Sequence, residues 1–135
     1  MAPTLPRGLH IFVNKFVYHL HAPKRGEIVV FPSPVEPGKG LVKRIIAIEG
    51  DTIEIKKKAV LLNGQPLTES YVQFLHPDEL FIGDDVAPIE VPRGSVFVLG
   101  DNRDVSGDSR DFKRADGTWI PFIPVSQIEG RVSAE

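Results

Sequence analysis

The sequence has no cysteine, one methionine and one tryptophan in 135 residues. Without cysteine there is no disulfide scaffold, no Cys-ligated zinc, no iron–sulfur cluster and no thiol nucleophile. The compartment stays open, because a domain of this size buries enough core to fold without disulfides. No apolar run approaches the roughly 18–20 residues that span a bilayer. No basic-then-apolar leader opens the sequence. Neither sign of charge is in excess: 16 Lys and Arg face 18 Asp and Glu, a formal net charge of −2. That balance argues against a general nucleic-acid binder. Long stretches of helical period, internal repeats, low-complexity tracts and Gly-rich phosphate loops are also missing.

What is abundant is turn chemistry and period-2 patterning. Glycine and proline number 12 each, which suits short strands joined by tight turns. Residues 9–18, 27–31, 41–48, 52–56, 59–62, 95–99, 118–125 and 128–132 read as strands. Asn63-Gly64 is a type I′ turn signal. Residues 68–89 are the least regular and read as an excursion from the main sheet. The expected fold is all-β: short, mostly antiparallel strands in a partly open barrel or sandwich, with an irregular insertion. The chain reads as a single domain, 1–135, with residues 63–95 as a small insertion or hairpin subregion.

Two places break the rules of a plain β protein. Lys43 sits among Leu41, Val42, Ile45 and Ile46. Desolvation there would lower the lysine pKa and make the amine a usable general base. The competing reading is a solvated charge on an edge strand. The second place is the polar loop from Gly100 to Asp111. Its Asp108 and Arg110 can pair to brace a site, and the Ser106 hydroxyl can orient an amine. A solvated turn competes here too, and so does a calcium loop. No frame of the loop supplies both the Gly and the Glu of an EF-hand.

These residues resemble a known family. Leu41-Val42-Lys43-Arg44-Ile45-Ile46-Ala47-Ile48-Glu49-Gly50-Asp51 resembles the lysine box of bacterial type I signal peptidases. Gly100-Asp101-Asn102-Arg103-Asp104-Val105-Ser106-Gly107-Asp108-Ser109-Arg110 resembles their most diagnostic box at every fixed position. Met1-Ala2-Pro3-Thr4-Leu5 resembles the nucleophile box, Ser-Met-x-Pro-Thr-Leu, from its Met onward. Residues 25–31 look like the strand between the boxes. The four occur in the family's order and span nearly the whole chain.

The resemblance implies a signal-peptidase-like β fold and a membrane-associated serine endopeptidase. It would sit at the bacterial cytoplasmic membrane with its catalytic domain on the extracytoplasmic side. Its substrates would be exported preproteins, cut after small residues at −1 and −3 by a Ser/Lys dyad. The pattern places the nucleophile immediately before Met1, outside this sequence, so the chain as written is expected to be inactive. By the same resemblance Lys43 is the base, Ser106 directs its amine, and Asp108 and Arg110 hold the loop. Gly100, Asp101, Asn102 and Arg103 form the structural part of that loop. Met1, Leu5, Leu41 and Val42 would lie near the −1 pocket, and Ile11, Val30 and Val42 near the −3 pocket. An exposed strand edge beside them would take an extended peptide. No cofactor and no metal is implied; the pair His19 and His21 lacks an evident third ligand. The membrane surface is a further expected partner. Phe112, Trp119 and Phe122 compete between an apolar rim and ordinary core. Lys56-Lys57-Lys58 reads as a solvated hairpin turn. The alternative function is a catalytically inactive homologue that binds signal peptides or a partner.

Overall fold

The structure, a computed structural model, describes residues 11–14, 21–67, 85–101 and 107–134. Two-residue turns organise the middle of the chain. Strands β4 (Thr52–Lys56) and β5 (Ala59–Leu62) are joined by Lys57-Lys58, and β5 joins β6 (Gln65–Pro66) through Asn63-Gly64. All four turn residues have positive φ: 47° and 72° in the lysine pair, 52° and 81° in the Asn-Gly pair. This is the type I′ geometry whose twist matches flanking strands, and Asn-Gly adopts it at little cost. The lysines have no such freedom. Asp85 Oδ1 helps hold their turn by accepting the Lys57 N–H at 2.8 Å.

Strand β7 (Val86–Glu90) completes a four-stranded antiparallel sheet of order β6-β5-β4-β7. The expected irregular excursion, residues 68–89, therefore ends in regular structure; residues 68–84 lie outside the described residues. The reason it reads as irregular is Pro88, which interrupts the strand pattern. Proline is tolerated here because β7 forms an edge of the sheet, where a missing N–H breaks no inner ladder.

The other strands build a six-stranded antiparallel sheet of order β1-β10-β2-β3-β8-β9. These are β1 (Ile11–Asn14), β2 (Ile28–Pro32), β3 (Gly40–Ile48), β8 (Ser95–Leu99), β9 (Phe122–Pro124) and β10 (Gly130–Ala134). A single turn of 3-10 helix, Val125–Gln127, separates the last two. The sheet is covered on both faces. One face packs Ile46, Ala47, Phe97 and Leu99 against Ile53, Ile55, Val60 and Val86 of the second sheet. The other packs Val29, Phe31, Ile45, Val96 and Val98 with Phe112 and Ile123. Double coverage explains the unbroken burial of 96–99, where period 2 disappears.

Candidate active site

Strand β3 carries Lys43 and Arg44 on opposite faces, because successive side chains alternate. Opposite Lys43 on β2 is Val29, and opposite Leu41 is Phe31. Lys43 thus shares the face of the Val29–Phe31–Ile45 core. Burial lowers its ammonium from the usual lysine range. Asp108 opposes that shift, Arg110 and Lys39 add to it, and Asp111 opposes it. The structure so brings the Lys43 amine within electrostatic reach of the Asp108–Arg110 pair.

That pair is fully enclosed. Asp108 is 0% exposed and Arg110 8%. The guanidinium donates from Nε to Asp108 Oδ1 at 2.9 Å and from Nη2 to Oδ2 at 3.0 Å. Backbone N–H groups of Gly100 and Arg110 donate to the same carboxylate, each at 3.1 Å. Four donors on one carboxylate fix the loop's shape, and a buried pair of this kind specifies geometry more than it stabilises. Ser109 locks the loop to the sheet: its Oγ accepts the Val98 N–H at 2.9 Å and its own N–H donates to the Val98 carbonyl at 3.1 Å. The Trp119 indole N–H closes the outside by donating to the Ser109 carbonyl at 2.9 Å.

A second ion pair ties the loop's start to the lysine strand. Arg44 donates from Nε to Asp101 Oδ1 at 2.9 Å and from Nη2 to Oδ2 at 2.8 Å. Its Nη1 donates to the Gly26 carbonyl at 2.8 Å. Asp101 is 0% exposed. Lys43 and its neighbour are thus each set against one carboxylate of the polar loop, from opposite faces of one strand. Sequence reasoning noted Arg44 only as a second charge in the run and weighed Trp119 only as rim or core, and it missed the contacts both make with the loop. The available signal for Arg44 was a second cation inside the apolar run; nothing in the local pattern marks Trp119.

The remaining expected site residues divide. Val30 and Val42 are half-buried and directly opposite each other across β2 and β3. They lie on the face away from Lys43, whereas Leu41 lies on the lysine's own face. Gly100 is buried at the end of β8. Met1, Leu5, Asn102, Arg103 and Ser106 lie outside the described residues, and of Ile11 only the strand pairing is described, opposite Ala134. Of the three aromatics weighed for an apolar rim, Phe112 is buried at 2% and packs edge-on to Phe31 at 6.4 Å. Phe122 packs on Phe97 at 6.3 Å, and Trp119 is half-buried against the inter-sheet core. Packing is the fate of all three. No helix among the described residues is long and apolar enough to cross a membrane.

A family profile described as "Signal peptidase, peptidase S26" matches residues 1–135. A protein named probable signal peptidase I-1, from a Synechocystis species, is 40% identical over 137 residues, covering 96% of this chain and 63% of that protein. Signal peptidase I P of Bacillus subtilis subsp. natto is 42% identical over 139 residues, covering 95% of this chain and 75% of that protein. The crystal structure of a signal peptidase I from Enterococcus faecalis V583 superposes with a TM-score of 0.62 at 29% identity, covering 84% of this chain and 98% of that one. The chain spans about three fifths to three quarters of the length of these two sequence relatives. With the profile matched from end to end and both relatives so similar, this chain belongs to the signal peptidase family, peptidase S26.

Proposed function

We propose that the chain is the catalytic domain of a signal peptidase I, a serine endopeptidase that removes signal peptides from exported preproteins at the outer face of the bacterial cytoplasmic membrane. The observation that carries the reading is the half-buried Lys43 with its lowered pKa, facing the enclosed Asp108–Arg110 pair. A serine hydroxyl is a weak nucleophile and needs a base. A lysine whose charged form is disfavoured is neutral more often near neutral pH and can take that proton.

In this mechanism the nucleophile is the serine that the family's box places immediately before Met1. Lys43 accepts its proton as the oxygen attacks the scissile carbonyl, then returns the proton to the departing amine. Asp108 and Arg110 keep the loop in place beside the amine, and Ser106 directs it. The substrate binds extended. β8 pairs with β3 only over residues 44–48, so residues 40–42 run past its end. No strand among the described residues pairs with their outer edge. A peptide added there would alternate its side chains between the two faces of the sheet. The Val30–Val42 face then suits the small −1 and −3 side chains.

The test uses the chain with serine restored before Met1 and a fluorogenic peptide with an Ala-x-Ala site. Cleavage is expected, with kcat/KM rising through a pKa below that of ordinary lysine. Lys43→Ala should remove at least 10⁴-fold of the rate while the thermal melt stays cooperative, on the scale of losing a triad member. Cleavage that survives Lys43→Ala would refute the dyad. Binding of the peptide without cleavage in the serine-restored chain would instead favour a signal-peptide-binding homologue.

A further inference from the structure

A cavity of about 260 Å³ opens on the Leu41 face of β3, the face opposite Val30 and Val42. Its apolar part comes from Leu41, Phe112 and Val35, the last 47% exposed and the one large hydrophobic side chain so open among the described residues. Its polar rim is Glu36, Lys39 and Asp111. Glu36 and Lys39 neutralise each other across 3.3 Å. Asp111 adds a carboxyl. The residue as a whole is exposed, yet burial of its carboxyl, and next the charge of Asp108, raise its pKa above the ordinary aspartate value. The volume is below the range of about 300–1,000 Å³ typical of small-molecule pockets, so the cavity suits one side chain.

Strand geometry says which side chain. An extended peptide on the outer edge of residues 40–42 places −1 and −3 on one face and −2 on the other. If the small residues lie on the Val30–Val42 face, the −2 side chain lies on the face of Leu41 and Lys43, where this cavity opens. Resting on the signal peptidase reading above, we propose that this cavity is the subsite for the −2 side chain of the substrate, and that it favours an apolar stem ending in a cation. Leu41 and Phe112 take the stem, and Asp111 takes the charge at the rim. The same position is electrically coupled to catalysis. Among the described residues, the charged groups acting on Lys43 include Asp108, Arg110, Lys39 and Asp111, and Lys39 and Asp111 line the cavity. A cation bound there disfavours the protonated form of Lys43, whereas a bound anion favours it.

The experiment uses the serine-restored chain and three peptides identical except at −2: Ala-Lys-Ala, Ala-norleucine-Ala and Ala-Glu-Ala. The expected order of kcat/KM is Lys above norleucine above Glu, with about fivefold between the extremes, as for a partly exposed charge pair. The acid limb of the pH profile should lie at lower pH for the Lys peptide than for the Glu peptide. Asp111→Asn should reduce the Lys-to-Glu ratio to near one; should that variant melt early, Glu36→Gln is expected to reduce the ratio in the same direction. Equal rates for all three peptides would overturn the proposal. Norleucine above both charged residues would overturn it too, leaving an apolar subsite only. If none is cleaved, not even an Ala-Ala-Ala control, the signal peptidase reading itself fails. Cleavage of the control without discrimination would fail only the subsite.

Discussion

The two sheets solve different problems with the same kind of strand. The four-stranded sheet follows the sequence rules closely. β4 alternates Ile53 and Ile55 inward against half-exposed Thr52 and Glu54, and tight turns define its hairpins. The six-stranded sheet breaks those rules where β3 meets the polar loop. There a lysine and an arginine sit within an apolar run, and Asp101 and Asp108 are completely enclosed. Burying such charges costs more than apolar packing would, unless each is paired and hydrogen-bonded. The second sheet supplies apolar backing, and the first holds charges at fixed positions.

The largest expected effect separates those two roles. Asp101→Ala leaves the Arg44 guanidinium enclosed without its carboxylate, and removing one partner of a buried pair costs about 3–5 kcal/mol. Ile53→Ala in the second sheet costs about 2–5 kcal/mol by cavity formation. The two variants should melt at similarly lowered temperatures. At a temperature where both remain folded, only Asp101→Ala should alter the pH profile of peptide cleavage in the serine-restored chain. Identical pH profiles would break the contrast.

A smaller effect lies at the seam between the sheets. Arg25 pairs with Asp51, whose carboxylate also accepts the Ile48 N–H at 2.9 Å and the Asn63 amide at 3.1 Å. Chiefly the Arg25 hydrogen bond holds Asp51 down at about 2. A depressed carboxylate pKa contributes stability that is full above the unfolded value near 4 and is lost as pH falls toward 2. The contribution is on the order of 1–2 kcal/mol after allowing for the half-exposed arginine. Asp51→Asn should therefore lower Tm at pH 7 and flatten its decline between pH 5 and 2. A parallel downward shift of the whole curve would show that the charge is not responsible.

How legible all this was in the sequence depends on distance along the chain. Strands 52–56 and 59–62 are readable to the residue from local patterning and turn chemistry, and 95–99 from a short apolar run closed by Gly100. β7 is obscured by Pro88, which is acceptable only because that strand lies at an edge. Lys43 stands out as a charge in an apolar run. Its neighbour's partner does not, since Arg44 and Asp101 are 57 positions apart and meet only through the β3–β8 register. The Trp119 bond to the Ser109 carbonyl is equally silent, because a backbone acceptor leaves no mark on composition.

The smallest expected effect is a gain. Lys57 and Lys58 hold positive φ without glycine or asparagine. Replacing them with Asn-Gly should raise stability by about 0.5–1 kcal/mol, read as a higher urea midpoint, without changing cleavage. A lower midpoint would mean that the lysine side chains outweigh their backbone strain.

The sheet order also imposes a sequence of events on biosynthesis. The last strand, β10, is inserted between β1 and β2, and β1 pairs with β10 over Ile11 to Asn14. Among the described residues β1 has no other neighbouring strand. Strand β1 therefore waits for β10, more than a hundred residues later in the chain, and this end of the sheet closes only when residues 130–134 are available. A polypeptide interrupted before that point would leave β1 without its partner strand. Topology alone thus keeps this end of the six-stranded sheet open in an incomplete chain.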